Sequence, residues 1–400
     1  MTAYAILDAL AGLTDPPVAM AAAIIDSGEI DEAYDFAQET SCFEFNSIGK
    51  TMTAQVLATF VVDGVVSLDD AIGAWLDAGS NGDITLRQLA THTSGLPRMA
   101  ANASEGDGFD PANPYAVYGP ELAEAALRDA PRGDAGYSNF GLQLLGLALE
   151  RIGGASFNEP LRRHVFEPFG LADATVAPGP GQVQGYRLGQ PTAAWTDLLA
   201  GPGGVNGTLR DLVAWAKAVL DPSPAMRFAV DNDLGWARAE PGLIWHNGGS
   251  YGFHSTLVVD PAARRAAMTL IATSDLEHVD QATFLACVGL DPMDARPATV
   301  GDAFNAPAMQ VTEMLVGNRW DEVRARMTER CAEVLTAELL ADAWVEVMGP
   351  LGEFRSATVT RALATRGAVV VQLDLTFTDG TGEAEVNFDP DGKVTGLRIA

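Results

Sequence analysis

The sequence predicts an α/β protein of the α+β type, divided into two unequal domains. Residues 1–290 carry apolar strand-like runs towards both ends with helical periodicity between them, whereas residues 303–400 carry helical stretches followed by alternating strands. The length of 400 residues also favours two domains, because a single hydrophobic core seldom grows that large. Residues 291–302, which are rich in Pro, Asp and Ala, are the predicted linker.

The first domain is predicted to open with a strand and to continue with helices. The apolar run at 18–25 is interpreted as a strand that turns at 26–29. Asn46 or Ser47 stands near the N-cap of a helix that continues to Val62. The later predicted elements are a helix at 139–153, strands at 242–246, 253–259 and 265–273, and a closing helix at 278–289.

Composition and charge limit the classes of function. Nearly half of the residues are apolar and a fifth are charged, which is typical of a globular protein. The net charge of −28 argues against nucleic-acid partners and against docking to anionic membranes. No basic residue precedes Lys50, so the positive n-region of a signal peptide is missing, and the apolar run at 18–25 is too short to span a bilayer. We therefore expect residence in the cytoplasm.

No cofactor and no metal are expected. The histidines His92, His164 and His254 lack metal-ligand spacing and are predicted to be structural, with His254 near the rim of the site. The cysteines lack the paired spacing of disulfides or zinc sites and are predicted to be buried. They are Cys42, Cys287 and Cys331.

The most informative pattern is a serine followed three residues later by one of the chain's three lysines, Ser47 and Lys50. Residues i and i+3 of a helix are neighbours, about 5–6 Å apart at Cβ, so the Lys50 amine can reach the Ser47 hydroxyl. The helix N-terminus also aims free backbone N–H groups at whatever the serine attacks. A serine beside a base and anion-stabilising donors is the minimum set of groups for acyl transfer.

Two further motifs follow the Ser-x-x-Lys motif in order along the chain. Tyr137 and Asn139 form a Tyr-x-Asn motif before a helical run, and His246 begins a His-Asn-Gly-Gly motif among strand-like residues. This order resembles the serine β-lactamase and penicillin-binding-protein superfamily. The resemblance is closest to its class C-like branch of β-lactamases, D-aminopeptidases, DD-carboxypeptidases and β-lactamase-like esterases. It covers about residues 15–290.

The resemblance implies a fold and a mechanism. In this superfamily an antiparallel sheet packs against an all-helical lobe, and the site lies between them. Ser47 would be the nucleophile, and Lys50 and Tyr137 would form a coupled pair that takes its proton. The reference pKa values of the two side chains are about 10.4 and about 10. Backbone N–H groups of Ser47 and Gly249 would form the oxyanion hole. Asn139 would orient Lys50 or the acyl-side amide of the substrate.

The third motif departs from the β-lactamase pattern, because His246 stands where a lysine is usual. Histidine is mostly neutral at pH 7, so its grip on a substrate carboxylate should be weak. Histidine is found there in the peptidase and esterase branches, so slow acylation by penicillins is expected rather than efficient β-lactam hydrolysis. Gly248 and Gly249 are predicted to bind substrate. The loop at 100–118 could wall the cleft or be an ordinary surface loop; it carries Phe109, Pro111, Pro114, Tyr115 and Tyr118.

A rival nucleophile is Ser250, which lies in a Gly-x-Ser-x-Gly pattern. Asp260 or Asp275 with His278 would complete a triad in the chain order of α/β-hydrolases. That elbow requires a helix directly after the serine, whereas residues 253–259 are predicted to form a strand. Ser47 therefore stays the predicted nucleophile.

Residues 303–400 differ from the first domain in their pattern of apolar and polar residues. Apolar and polar residues alternate over 369–377, which predicts a half-buried strand, and turn residues follow at 378–380 and 389–392. Helices before a curved antiparallel sheet resemble the nuclear-transport-factor-2-like cone fold. Without a titratable cluster, the domain is predicted to be structural. Its helices are predicted at 304–316, 319–328 and 336–348.

The sequence thus predicts a serine hydrolase that works through an acyl-enzyme on Ser47. Its substrate would be a small-molecule ester, amide or peptide, as for an esterase or a D-amino-acid peptidase, with weak β-lactamase activity. Two alternatives stay open: an acyltransferase or peptide cyclase that uses the same site, and a catalytically silent binding protein of the same fold. The sequence leaves the oligomeric state open.

Overall fold

The chain folds into two compact units, Met1–Ala295 and Arg296–Ala400, which are described separately. The 3-10 turn Pro292–Ala295, from the predicted linker, belongs to the first unit. Pro111 and Pro114 of the predicted cleft wall lie outside the described residues. The computed structural model describes residues 1–400 except 12, 15, 111–112, 114, 188, 197–200, 202, 277, 296–297, 300–301, 366–367, 390 and 400.

A six-stranded antiparallel sheet organises the first unit. The strands of this unit are β1 (Met20–Asp26), β2 (Glu29–Asp35), β3 (Phe43–Glu44), β4 (Tyr186–Arg187), β5 (Gln190–Pro191), β6 (Asn206–Gly207), β7 (Ala237–Ala239), β8 (Leu243–Gly249), β9 (His254–Asp260) and β10 (Arg265–Ile271). The main sheet has the order β2-β1-β10-β9-β8-β7, and every pairing in it is antiparallel. The short strands pair separately, β3 with β6 and β4 with β5.

Helices cover the sheet and form a lobe beside it. They are α1 (Ala3–Leu10), α2 (Gly49–Val62), α3 (Leu86–Ala90), α4 (Pro120–Asp129), α5 (Asn139–Gly153), α6 (Asn158–Leu161), α7 (Glu167–Phe169), α8 (Leu209–Leu220), α9 (Pro224–Asp231) and α10 (Val279–Cys287). Helices α1 and α10 pack on the sheet and on each other, while α2 is buried among α5, α6 and α9. The predicted antiparallel sheet with a helical lobe is confirmed.

The alternation of side chains along β9 defines the two faces of the sheet. Thr256 Oγ1 donates a hydrogen bond to Asp280 on α10, whereas Ser255 Oγ donates one to the Phe45 carbonyl on the opposite face. Successive residues of a strand point to opposite faces, so β9 separates α10 from the turn that carries Ser47. The candidate nucleophile therefore lies on the face of the sheet away from α10.

The helix predicted from residue 46 begins slightly later. Asn46–Ile48 forms a 3-10 turn, α2 starts at Gly49, and neither Asn46 nor Ser47 caps the helix with its side chain. Asn46 has a left-handed φ of 50°, and its side-chain amide donates to the Glu44 carbonyl instead. A polar residue that tolerates positive φ is well suited to this bend.

The second unit consists of helices and an antiparallel five-stranded sheet with the order β11-β12-β13-β14-β15. Its elements are α11 (Asn305–Val316), α12 (Trp320–Ala325), α13 (Glu329–Val334), α14 (Ala337–Val347), β11 (Ala298–Thr299), β12 (Phe354–Thr365), β13 (Ala368–Phe377), β14 (Thr381–Phe388) and β15 (Val394–Ile399). The predicted alternation is confirmed, because Val371, Leu373 and Leu375 are buried while Asp374 and Thr376 are exposed. The cone-fold resemblance stays a prediction.

Candidate active site

Ser47 and Lys50 are in direct contact. Lys50 Nζ donates a hydrogen bond of 2.8 Å to Ser47 Oγ. Ser47 occupies the 3-10 turn and Lys50 the first turn of α2, and residues i and i+3 of a 3-10 turn stack one above the other. Lys50 is 1% exposed, whereas Ser47 remains partly open to solvent. The arrangement places an amine inside the protein and the hydroxyl that it contacts at the surface of the cleft.

Tyr137 approaches the same serine from the segment before α5. Its phenol makes a hydrogen bond with the Ser47 side chain, and Lys50 Nζ lies 5.0 Å from the centre of its ring. Burial raises the pKa of Tyr137, while the Ser47 hydrogen bond and the Arg98 guanidinium oppose that rise. Two groups that can exchange protons therefore converge on one hydroxyl, which is the arrangement that an activated serine requires.

Asn139 begins α5 beside this cluster, behind Ser138, which caps the helix by accepting the Gly141 N–H at 2.9 Å. Asn139 Nδ2 donates to the Tyr115 hydroxyl at 3.1 Å. Its Oδ1 is buried and has no hydrogen-bond partner among the described residues. Tyr115 comes from the 100–118 loop, so part of the predicted cleft wall does reach the site.

The third motif lies on β8, next to β9. His246 is 6% exposed, and its Nδ1 lies 2.5 Å from the Asn247 carbonyl, so this nitrogen carries the proton and donates it. Burial, helped by the positive charge of Lys50, lowers the pKa of His246 to about 3. The ring is therefore neutral at every working pH, and position 246 supplies no cation to the cleft.

Gly248 lets β8 touch the nucleophile turn. A Cβ atom added at this position would lie 2.5 Å from the Ser47 backbone nitrogen and 2.5 Å from Asn46 Cβ. At Gly249 the nearest neighbour of an added Cβ would be the Phe253 carbonyl oxygen, 3.9 Å away. The strand thus approaches Ser47 as closely as backbone atoms allow.

We expect Gly248→Ala to lower kcat/KM about 100-fold, because the methyl group must push Ser47 away from β8 and a shift of about 1 Å can cost that much. Gly249→Ala is the matched control on the same strand, and its loss should be at least tenfold smaller. Steady-state kinetics of both variants on one ester, with thermal unfolding alongside, provide the measurement. Equal losses would contradict a steric role for Gly248.

His92 holds the segment that carries Tyr137, a contact that the sequence did not predict. Its carbonyl accepts the Gly136 N–H at 3.1 Å, its Nδ1 accepts the Ser138 N–H at 3.1 Å, and its ring lies 4.4 Å from the Tyr137 ring. A left-handed φ of 58° lets carbonyl and ring face the same segment. Burial lowers the pKa of His92 to about 4, so the accepting nitrogen stays unprotonated near neutrality.

Replacing His92 with alanine is expected to lower kcat about 10–100-fold with little change in KM, because Tyr137 loses its support while the pocket keeps its shape. His92→Asn should recover part of the loss, since asparagine tolerates positive φ and offers an acceptor oxygen. His164→Ala, remote on the helical lobe beside Phe60, is the control. The kcat and KM of the three variants decide the matter; a KM effect alone, or no recovery with asparagine, would refute the positioning role.

His254, predicted near the rim of the site, lies instead on the far face of the sheet. Its Nε2 is 2.8 Å from Asp280 Oδ1, and Asn247 Nδ2 donates to the other carboxylate oxygen at 2.6 Å. Although burial alone would raise the pKa of Asp280, hydrogen bonds from His254, Thr256 and Asn247 hold it below its usual value. The prediction was wrong because of the strand register. His254 lies two residues before Thr256 on β9, so its side chain shares the face of the sheet that contacts α10. The cluster ties β8 and β9 to α10 behind the site.

Glu44 was missed by sequence reasoning, although a carboxylate between Phe43 and Phe45 is an unusual signal. It is 3% exposed and accepts the Trp195 N–H at 2.7 Å. Burial raises its pKa to about 7, while the nearby Ser250 side chain and the Trp195 N–H oppose that rise. Glu44 therefore joins the nucleophile turn to the turn after β8.

The rival Ser250 lacks the setting of a nucleophile elbow. Its Oγ accepts the Gly252 N–H at 3.4 Å, and the next element is strand β9 rather than a helix. Within the described part of the chain, no group of three His, Cys, Asp or Glu residues could hold a metal ion. The same part contains no helix long and apolar enough to cross a bilayer. The three cysteines are buried and free, as predicted.

Most of the chain is similar to known families and proteins. Residues 12–289 match the family described as Beta-lactamase, and residues 308–397 match a family described as a protein of unknown function, DUF3887. D-alanyl-D-alanine-carboxypeptidase/endopeptidase AmpH of Escherichia coli K12 is 27% identical over 286 residues, which are 60% of this chain and 73% of the relative. A D-aminopeptidase of Brucella anthropi is 28% identical over 190 residues, 43% of this chain and 35% of that protein.

Solved structures show the same fold. A β-lactamase/D-alanine carboxypeptidase from Yersinia pestis, complexed with citrate, has a TM-score of 0.59 and 23% identity over 74% of this chain and 95% of its own. A D-stereospecific amidohydrolase from Streptomyces has a TM-score of 0.59 and 22% identity over 72% and 99%. Fold and site together define an enzyme of the β-lactamase-like serine hydrolase class. The chain belongs to the Beta-lactamase family.

Proposed function

We propose that the enzyme cleaves esters or small amides through an acyl-enzyme on Ser47, as an esterase or a D-amino-acid peptidase does. The observation that carries the proposal is the convergence of Lys50 and Tyr137 on one partly exposed hydroxyl. The names of the relatives, a D-alanyl-D-alanine carboxypeptidase/endopeptidase and a D-aminopeptidase, support the D-amino-acid branch.

The proposed reaction has two halves. Ser47 Oγ attacks the substrate carbonyl while the coupled pair of Lys50 and Tyr137 takes its proton. The N–H groups of Ser47 and Gly249 stabilise the oxyanion, and Tyr137 returns a proton to the leaving group. Water then repeats the sequence on the acyl-enzyme and releases the acid.

Asn139 favours substrates whose acyl part carries an amide group. Its Oδ1 is buried without a partner, and an unpaired buried acceptor costs about 1–3 kcal/mol. An amide N–H on the acyl side of a substrate would satisfy it, whereas a simple alkyl ester offers no donor. The neutral His246 fits the same view, because it gives no fixed charge for the carboxylate of a β-lactam.

The test is a substrate panel read by released chromophore and by intact mass: D- and L-alanine p-nitroanilides, p-nitrophenyl butyrate and benzylpenicillin. We expect ester turnover, a preference for the D-anilide over its L-form, and slow accumulation of a penicilloyl adduct. Added hydroxylamine should compete with water for the acyl-enzyme, and a product made only by transfer would favour the acyltransferase alternative. No turnover and no adduct with any compound would refute the proposed function.

A further inference from the structure

Arg98 is fixed beside the proposed catalytic tyrosine. Its carbonyl accepts the N–H groups of Asn139 at 3.0 Å and of Phe140 at 3.3 Å, so its backbone is tied to the start of α5. The preceding Pro97 carbonyl accepts the Ser138 hydroxyl at 2.7 Å. From this anchor the guanidinium reaches over Tyr137, with Cζ 5.1 Å from the centre of the ring. The side chain therefore starts from a defined point on the cleft.

The charge of Arg98 is unopposed in a strongly acidic protein. The chain carries a net charge of −28, and most arginines of the described residues, such as Arg132 with Asp83, pair with carboxylates. Arg98 is exposed and forms no ion pair with any carboxylate of the described residues. Guanidinium keeps its charge at every working pH. Arg98 thus offers an anion a positive charge beside Tyr137 that no described carboxylate neutralises, against the repulsion of the acidic surface.

The other groups around Tyr137 do not offer such a charge. Lys50 is 1% exposed and bonded to the nucleophile, and His246 and His92 are neutral, with pKa values lowered by burial to about 3 and about 4. Asn139, which is proposed to meet the acyl-side amide, is the residue whose N–H binds the Arg98 carbonyl. The backbone of Arg98 is therefore bonded to the residue that is proposed to meet the acyl part of the substrate, whereas position 246 lies on β8.

We propose that Arg98 selects substrates whose acyl part carries a carboxylate, and that it takes over the anion recognition that position 246 lacks. The inference rests on the proposed function of the same site. Planar guanidinium pairs well with carboxylate through two parallel hydrogen bonds. The substrate class is then an ester or amide of a dicarboxylic acid or of an acidic acyl chain.

A different role for Arg98 would be to act only on Tyr137. Its positive charge opposes the burial that raises the pKa of Tyr137, and a cation over an aromatic face is attracted to it. In that case its removal would slow every substrate alike and shift the pH profile. Selection of anions, in contrast, changes the ratio between a charged substrate and its neutral analogue.

The experiment compares the p-nitrophenyl monoester of adipic acid with its neutral methyl ester, which has the same acyl chain. We measure kcat/KM for both on the parent enzyme, Arg98→Gln, Arg98→Lys and the exposed control Arg227→Gln on α9. The quantity compared is kcat/KM for the anionic ester divided by kcat/KM for the neutral ester. We expect this ratio to fall about tenfold in Arg98→Gln, to recover partly in Arg98→Lys and to keep its parent value in Arg227→Gln. In the parent enzyme the ratio should decrease with added salt.

Equal losses on both esters, with a shifted pH profile, would overturn anion selection and assign Arg98 to Tyr137 alone. An unchanged ratio with unchanged rates would overturn it too. The substrate panel separates these failures from a failure of the proposed function. If the parent enzyme turns over neither adipate ester nor any compound of that panel, both proposals are wrong. If it turns over panel compounds but neither adipate ester, or turns over both adipate esters with a ratio that Arg98→Gln leaves constant, only the role of Arg98 is refuted.

Discussion

Ser47→Ala is expected to lose turnover by about 10⁴-fold or more and to lose covalent labelling altogether. Lys50 and Tyr137, the two groups that can exchange protons, both contact the Ser47 hydroxyl. Removing one partly exposed oxygen should leave the free energy of unfolding nearly unchanged. A fluorophosphonate probe read by intact mass, with p-nitrophenol release from an ester, measures both effects.

Ser250→Ala is the matched control, because it is the serine of the rival motif and lies one residue after β8. Its hydroxyl accepts the Gly252 N–H and lies beside Glu44, away from the contacts of Ser47 with Lys50 and Tyr137, so the variant should keep its label. Labelling that disappears in Ser250→Ala and persists in Ser47→Ala would overturn the assignment of the nucleophile. A mass adduct on both variants would place the reactive group elsewhere.

The sequence predicted the pair of Ser47 and Lys50, because a spacing of three residues within a helical turn brings the two side chains within reach. The 2.8 Å contact agrees with that spacing. The approach of Tyr137 could not be worked out in this way. Many residues separate it from Ser47, and only the resemblance to a family connected the motifs. The alternation of apolar and polar residues also predicted β13 correctly, because its apolar residues Val371, Leu373 and Leu375 are the buried ones.

Other features depended on long-range geometry. The hydrogen bonds by which His92 holds the Tyr137 segment require a left-handed φ at His92 and contact with residues far along the chain. Neither feature leaves a pattern in the sequence. The face occupied by His254 is decided by the register between β8 and β9, and a shift of one residue would reverse it. Helix α1 was not predicted, although Ile6, Leu7 and Leu10 have helical spacing; a short first helix gave too few turns for its period to be recognised.

Lys50→Met is expected to lower kcat/KM by about 10³–10⁴-fold, the range that general acid–base catalysis supplies. Methionine keeps much of the side-chain length but has no amine to contact Ser47 Oγ. Lys50 is 1% exposed, and an apolar group of similar volume is well accepted at such a position, so the melting temperature should stay equal or rise. Lys217→Met on the exposed side of α8 is the control.

Lys50→Arg separates proton transfer from charge. Guanidinium keeps a positive charge near Tyr137 but cannot accept a proton, and its planar fork fits poorly where the ammonium or amine of lysine is buried. If Lys50 shares the proton of Ser47, Lys50→Arg should be as slow as Lys50→Met, in both acylation by the fluorophosphonate and ester turnover. Recovery of parent rates in Lys50→Arg would show that a positive charge at residue 50 is sufficient for catalysis and that the lysine amine is not needed. Tyr137 would then take the proton of Ser47 alone.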